Sequence, residues 1–170
     1  MNKKVQKIVL TALLAALVCV ATLVIQIPSP LGGYVNLGDA LIILASAFLP
    51  PIYAFFAAAI GSALADVFLG YMVYAPATFV IKGLMALVTS IIIRKAFKDK
   101  AFLGTVVGGF TGEVIMVAGY YVFEGFLYDF ISVLVNVPFN AVQGCAGLVL
   151  GTLLVGLFNT NKTLKRLMHS

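Results

Sequence analysis

Long apolar segments dominate this chain and limit what it can fold into. A helix needs about 20 apolar residues to cross the hydrocarbon core of a bilayer. Five segments satisfy that length, at positions 8–27, 52–70, 75–93, 102–123 and 138–158. Because 62% of the residues are hydrophobic and only 10% are charged, little polar surface remains for a water-facing domain. The sequence predicts an integral membrane protein and excludes a soluble enzyme, a disordered tail and a nucleic-acid binder.

A sixth apolar segment, 40–49, covers only roughly 15 Å as a helix, and the distribution of charge decides whether it counts as a span. Ten of the eleven Lys and Arg residues form three clusters: Lys3, Lys4 and Lys7; Arg94, Lys95, Lys98 and Lys100; and Lys162, Lys165 and Arg166. The positive-inside rule places all three clusters in the cytoplasm only if the chain crosses six times. We therefore expect one domain over residues 1–170, an all-α bundle of six transmembrane helices with both termini cytoplasmic.

The segment LGGYVNLGD at 31–39 joins the first two predicted helices and carries polar Asn36 among three glycines. If Asp39 caps a half-length second helix that ends at Pro50 and Pro51, this loop dips into the membrane from outside. Irregular backbone at that depth is tolerated where protein or a water-filled cavity satisfies its polar groups. We expect a loop that lines a cavity; a loop on the membrane surface is the alternative.

Tyrosines are distributed unevenly between the two ends of the predicted bundle. Six of the seven map to the outer side, together with four of the six carboxylates, whereas only Tyr53 maps to the inner side. An interfacial aromatic belt would appear at both membrane faces. The asymmetry therefore favours an aromatic-lined site that opens outward.

Two ionisable side chains fall at membrane depth. Lys82 lies about eight residues inside the fourth predicted span, and Glu113 lies near the middle of the fifth. Facing lipid costs such a charge roughly 2.5 to 3.5 kcal/mol, so both are expected to face the interior. Their depths allow an ion pair with each other, two sides of one polar cavity, or a pair that only fixes helix packing.

A row of amides opens the last predicted span. Asn136, Asn140 and Gln143 share one helix face at i, i+4, i+7 spacing. They either cross-bond neighbouring helices or bind the polar edges of a small ligand. In the fifth span, Tyr120 lies on roughly the same face as Glu113 and Glu124, which brings the outer halves of the last three spans to one polar, aromatic region.

Small residues recur four apart along several spans: Ala12 and Ala16; Ala57, Gly61 and Ala65; Gly104, Gly108 and Gly112; Gly147 and Gly151. Such faces let helix backbones approach closely, usually within one protein. Ala12 and Ala16 are the exception, because a first helix often lies at the periphery and is open to another subunit.

Motifs for catalysis are missing from the sequence. There is no GxxxxGK[ST] loop, so this chain does not hydrolyse ATP by that route. The single histidine, His169, and the isolated cysteines, Cys19 and Cys145, give no metal-ligand or acid–base pattern. We expect a binding protein without a cofactor of its own.

Three segments carry a resemblance to a known family: GYVNLGDALIILASAFLPP, IGSALADVFLGYMVYAPATFVIKGLMAL and NVPFNAVQGCAG. Over nearly the whole chain the sequence resembles the substrate-binding S components of energy-coupling factor (ECF) vitamin transporters. The segments GYVNLGDA and YAPATFVIKGLM are most similar to the branch for hydroxymethylpyrimidine or pyridoxine uptake.

The resemblance implies a subunit of the bacterial cell membrane that captures a vitamin from outside and associates with a transmembrane coupling subunit and two ATPases, which use the ATP. The coupling subunit would contact Ala12 and Ala16. The ligand pocket would include Asn36, Lys82, Glu113, Tyr120, Asn140 and Gln143.

Other functions stay open at this stage. Pantothenate and riboflavin carriers share much of the sequence pattern. A small membrane enzyme would use Glu113 and Lys82 as an acid–base pair, and a scaffold or channel subunit would use its small-residue faces for assembly.

Overall fold

Six α-helices follow one another in the computed structural model, which describes residues 2–97 and 100–160. They are α1 (Lys3–Val24), α2 (Gly38–Phe48), α3 (Pro51–Leu69), α4 (Ala75–Ile91), α5 (Ala101–Leu127) and α6 (Val137–Thr160). A π-helical turn, Ile92–Ala96, continues α4, and a 3-10 turn, Ser132–Asn136, precedes α6. All except α2 are long and apolar enough to cross a membrane. The six-helix architecture is confirmed, whereas Lys98, the cluster at 162–166 and His169 lie outside the described residues.

The short helix α2 forms the centre of the bundle. It contacts each of the other five helices, and nine of its 11 residues are buried. A helix that is apolar on every side is buried either in a protein core or in the bilayer, and the other five helices surround α2 within the protein. Its shortness follows from Pro50 and Pro51, because α3 starts at Pro51, a position where proline loses no hydrogen bond.

The first turn of α2 differs from the expectation that Asp39 caps this helix. The capping position is Leu37, which makes no side-chain capping hydrogen bond. Asp39 lies within the helix and is completely buried, with its carboxylate paired to Lys82. The predicted cap is wrong because an interior cation competes for the same carboxylate.

At the other end of α2, the last carbonyl groups are bonded by side chains of the α4 segment. Arg94 Nη2 donates to the Phe48 carbonyl at 2.8 Å, and Arg94 Nε donates to the Leu49 carbonyl at 3.2 Å. Ser90 Oγ also donates to Leu49, at 2.9 Å. Helix ends leave carbonyl groups without intrahelical partners, so these bonds allow α2 to end inside the protein.

Small residues lie where helices approach most closely, as the sequence predicts. A Cβ added at Gly61 would overlap the Ala15 carbonyl oxygen of α1, and one at Gly151 would lie 2.8 Å from Ile43 Cβ of α2. A Cβ at Gly108 would lie 2.9 Å from the Thr89 carbonyl oxygen of α4. These faces therefore pack within the chain.

A short hairpin, which the sequence analysis did not predict, connects α1 to α2. Strand β1 (Gln26–Pro28) pairs antiparallel with β2 (Tyr34–Asn36). Gly32 and Gly33 make its turn with φ of +67° and +69°, a conformation that side chains with a Cβ disfavour. The Leu31 N–H and carbonyl group both bond to the Asn136 side chain, each at 3.2 Å. The hairpin is thereby fastened over one end of the bundle, which we call the hairpin end.

Candidate substrate-binding site

A polar cavity lies beneath the hairpin. Its lining comes from the hairpin and from α1, α3, α4, α5 and α6: Thr22, Ser29, Gly33, Tyr34, Asn36, Ser62, Asp66, Tyr74, Thr78, Lys82, Tyr120, Glu124, Asn140 and Gln143. The cavity volume is about 20 Å³, which is room for about one water molecule. The hairpin segment lines this cavity, as the sequence predicts for residues 31–38.

Five of the six predicted site residues lie together in this lining: Asn36, Lys82, Tyr120, Asn140 and Gln143. A continuous set of bonds joins three of them to α2. Lys82 Nζ pairs with Asp39 Oδ1, and Gln143 Nε2 donates to Asp39 Oδ2 at 2.6 Å. Gln143 Oε1 accepts from the Asn36 N–H at 2.9 Å. The hairpin, α2, α4 and α6 are therefore held in register around the floor of the cavity.

The partner of Lys82 differs from the one that the sequence analysis considered. Lys82 pairs with Asp39, and Glu113 lies outside the cavity lining. Glu113 belongs to α5 and is only 5% exposed, with its side chain against α6. Within the described residues its two carboxylate oxygens have no hydrogen-bond partner. A Cβ added at Gly147 would lie 2.7 Å from both Glu113 Oε1 and Asp39 Cβ. The two carboxylates therefore flank the same glycine, and only Asp39 reaches the lysine.

Aromatic rings form one wall of the cavity. The Lys82 ammonium group lies 5.6 Å from the centre of the Tyr120 ring, a distance that allows a cation–π interaction. The Tyr120 hydroxyl lies 3.0 Å from Thr78 Oγ1. Tyr34 and Tyr74 also line the cavity, which gives the aromatic-lined site that the sequence predicts.

Tyr34 connects this wall to α3. Its hydroxyl donates to Asp66 Oδ1 at 2.6 Å, and its ring lies 4.8 Å from that of Tyr71. Burial, followed by the nearby Asp66 carboxylate, raises the pKa of Tyr34. The Tyr34 hydroxyl therefore keeps its proton at neutral pH and acts as a donor.

Two buried polar atoms of the lining, Ser62 Oγ and Asp66 Oδ2, have no hydrogen-bond partner among the described residues, and both side chains are 3% exposed. The Asn140 amide, which is 9% exposed and also lines the cavity, makes no hydrogen bond to the described residues either. Buried polar groups are normally paired, because an unpaired one costs about 1 to 3 kcal/mol. Together they present a donor and acceptor amide, a hydroxyl group and a carboxylate acceptor to the cavity.

The three amide side chains of this row therefore have two different roles. Asn136, in the 3-10 turn before α6, bonds to Leu31 and donates to Glu124 Oε2 at 3.0 Å. Gln143 bonds to Asn36 and Asp39. These two amides cross-link the protein, whereas Asn140 faces the cavity without a partner among the described residues.

Sequence reasoning missed three charged or polar contributors to the site: Asp39, Asp66 and Ser62. Asp39 stood out as a carboxylate in an otherwise apolar helix. Ser62 and Asp66 are four residues apart on α3, so they share one helix face. That spacing was a usable signal, although it could not show which neighbour the face meets.

Ala12 and Ala16 lie outside the cavity lining, on the surface of α1. Both are exposed and line an apolar groove between α1 and α3, about 670 Å³ in volume. Ala15, next to them on α1, is buried against α3 at Gly61. The first helix therefore has one face packed inside the chain and a neighbouring face left open.

A bundle of apolar helices with a polar, aromatic cavity at one end defines a membrane-embedded binding protein. A family model described as "ECF-type riboflavin transporter, S component" matches residues 2–160, and the chain belongs to this family. It is thus a transporter component for vitamin uptake rather than an enzyme. The S components of ECF transporters pair with a T component and ATPases.

Two further similarities agree with this family. A Pyrococcus woesei protein described as an "Uncharacterized protein in gap 3'region" is 35% identical over 136 residues, which are 79% of this chain and 88% of the relative. The solved structure "Structure and mechanism of the S component of a bacterial ECF transporter" superposes with a TM-score of 0.73 at 19% identity, covering 93% of this chain and 98% of the other. At that identity the match shows the fold alone. The narrower hydroxymethylpyrimidine or pyridoxine branch stays a prediction.

Proposed function

We propose that the chain is the substrate-binding subunit of an ATP-driven importer of the cytoplasmic membrane, and that the cavity beneath the hairpin binds a small, flat heteroaromatic vitamin or vitamin precursor. The observation that carries the proposal is the set of unpartnered polar groups on Ser62, Asp66 and Asn140 beside the tyrosine wall. Flat rings stack on tyrosines, while ring nitrogens and hydroxyl groups bond to amides, hydroxyls and carboxylates.

Three candidate substrates fit this description. The family model's description supports riboflavin, whereas the sequence of the GYVNLGDA and YAPATFVIKGLM segments supports hydroxymethylpyrimidine or pyridoxine. Pantothenate lacks an aromatic ring and would leave the tyrosines unused. A scaffold or channel subunit would not need unpaired polar groups in a cavity lined by tyrosines.

The volume of the cavity requires a moving part in this function. About 20 Å³ is too small for any of these vitamins. The hairpin is the smallest element that covers the cavity, because it consists of two strands and one turn that lie over the cavity at the hairpin end of the bundle. We propose that the hairpin lifts to admit the ligand and that its end of the bundle faces outside, which leaves both termini in the cytoplasm.

The partners follow from the same proposal. A transmembrane coupling subunit docks on the groove at Ala12 and Ala16, and two ATPases supply the energy, so this chain needs no cofactor. Small residues at that groove let a partner helix approach the α1 backbone.

Mass spectrometry of small molecules released from the purified chain tests the function, followed by titration with riboflavin, pyridoxine and hydroxymethylpyrimidine. One of them is expected at near-stoichiometric level. Asn140→Ala should then weaken binding by about 1 to 3 kcal/mol, because a buried ligand group loses its partner. Asn159→Ala, an asparagine at the opposite end of the same helix, is the matched control. Absence of any bound vitamin, or equal affinity in both variants, would contradict the proposal.

A further inference from the structure

Charge in the cavity sets a limit on which vitamins it accepts, and this inference rests on the proposed function. Among the described lining residues, Lys82 is the only cation, and Asp66 and Glu124 are the acidic ones. The charge of Lys82 is already compensated by Asp39, which lies behind it and pairs with it at 0% exposure. The cavity therefore contains no uncompensated positive charge.

The acidic side chains reinforce this imbalance. Asp66 Oδ2 has no hydrogen-bond partner within the described part of the chain, and Glu124 Oε2 accepts from Asn136 Nδ2 at 3.0 Å. Ionised, the two carboxylates repel an anion; protonated, they still supply no positive charge. The backbone N–H of Gly38, at the start of α2, is already bonded to Asn36 Oδ1 at 2.9 Å.

We infer that the cavity selects uncharged or cationic heterocycles that carry N–H or O–H donors, and that it excludes vitamins bearing a carboxylate or phosphate. An anion buried here would lose its hydration without gaining a cation, which is costly in a low-dielectric interior. Donor groups would instead meet the acceptors on α3 and α6, namely Asp66 Oδ2, Ser62 Oγ and the Asn140 amide oxygen.

Two matched pairs of compounds test this inference on the wild-type chain in detergent: riboflavin with riboflavin 5′-phosphate, and pyridoxine with pyridoxine 5′-phosphate. The phosphate adds a charge of about −1.5 to −2 at pH 7. Equilibrium dialysis should show that the phosphorylated member of the bound pair binds about 100-fold more weakly or not at all. The neutral 5′-acetyl ester controls for size and is expected to bind within about tenfold of the parent compound.

The outcomes separate this inference from the proposed function. If the phosphorylated compound binds as well as its parent, or if the acetyl ester is excluded equally, selection by charge is wrong while the binding function stands. If only hydroxymethylpyrimidine binds, the same comparison is made with its phosphate and its acetyl ester. If riboflavin, pyridoxine and hydroxymethylpyrimidine all fail to bind, the proposed function itself is contradicted, and the inference falls with it.

A variant gives a second readout through a gain of binding. Asp39→Asn preserves size but leaves the Lys82 charge uncompensated, so it should improve the affinity for the phosphorylated compound relative to its parent by about tenfold or more. Asp66→Asn, which removes one repelling carboxylate, should shift the same ratio in the same direction by a smaller factor. An unchanged ratio in folded variants would overturn the inference.

Discussion

Lys82 on α4 and Asp39 on α2 form an ion pair in the interior of the bundle, with side chains that are 2% and 0% exposed. Gln143 from α6 donates to the second oxygen of the same carboxylate at 2.6 Å. A buried charge is tolerated only when it is paired and hydrogen-bonded. The pair therefore joins the central short helix to the floor of the cavity, where stability and binding depend on the same atoms.

Removing one member of this pair should destabilise the protein strongly. Lys82→Met leaves Asp39 as an uncompensated buried carboxylate, and we expect a loss of about 3 to 5 kcal/mol in the free energy of unfolding. Thermal unfolding in detergent, followed by circular dichroism, measures the effect. The double variant with Asp39→Leu should recover most of the loss, because no unpaired charge remains; equal losses in the single and double variants would argue against the ion pair as the cause.

Two glycines of α6 offer a matched comparison of packing. Gly147→Ala should cost about 1 to 3 kcal/mol through overpacking, because its Cβ would lie 2.7 Å from Asp39 Cβ and from Glu113 Oε1. Gly156→Ala has no atom within 4 Å of the added Cβ and should be neutral or stabilising, since alanine favours helix more than glycine does. The same unfolding measurement compares both, and a similar effect at the two positions would contradict close packing at Gly147.

The attachment of the hairpin should control how long a ligand stays bound. Asn136→Ala removes both hydrogen bonds to Leu31, each worth about 0.5 to 1.5 kcal/mol, together with the one donated to Glu124 Oε2. We expect ligand dissociation to be about tenfold faster, measured by chasing bound vitamin with an excess of unlabelled compound. Ser132→Ala is the control, because its hydroxyl bonds to exposed Asp129 in the same turn and does not reach the hairpin. Equal rates in the two variants would exclude the hairpin as the cover.

The groove on α1 should be needed for assembly and dispensable for binding. Ala12→Trp or Ala16→Trp fills the groove and is expected to abolish co-purification with the coupling subunit, while vitamin affinity in detergent stays the same. Leu13→Trp, on an exposed part of the same helix outside the groove lining, should leave assembly intact. Weakened vitamin binding in the alanine variants would contradict this separation of roles.

The orientation of the bundle can be measured with single cysteines. In a chain carrying Cys19→Ala and Cys145→Ala, we expect Met72→Cys to react with a membrane-impermeant maleimide in intact cells. Met72 is 65% exposed in the turn between α3 and α4, at the hairpin end. Thr160→Cys, at the end of α6, should react only in inverted vesicles. The reverse labelling pattern would invert the proposed topology.

Much of the architecture was readable from the sequence because it follows from local properties. The lengths of apolar segments predict five of the helices, and charge clusters separate six crossings from five. The i, i+4, i+7 spacing places Asn140 and Gln143 on one face, and small residues four apart mark close helix contacts. The hairpin could not be predicted in this way, because its two strands of three residues are too short for a periodic pattern.

Pairing across helices was decided by the tertiary structure alone. Two carboxylates, Asp39 and Glu113, lie at a membrane depth that Lys82 can reach, and the sequence analysis considered only Glu113. The position of α2 between α4 and α6 brings Asp39 to the lysine and leaves Glu113 against Gly144 and Gly147. Which polar group faces a partner and which, like Asn140, faces the cavity depends on how the helices are rotated and packed. The length of an apolar segment determines where a helix begins and ends, whereas the neighbouring helices determine which groups its side chains contact.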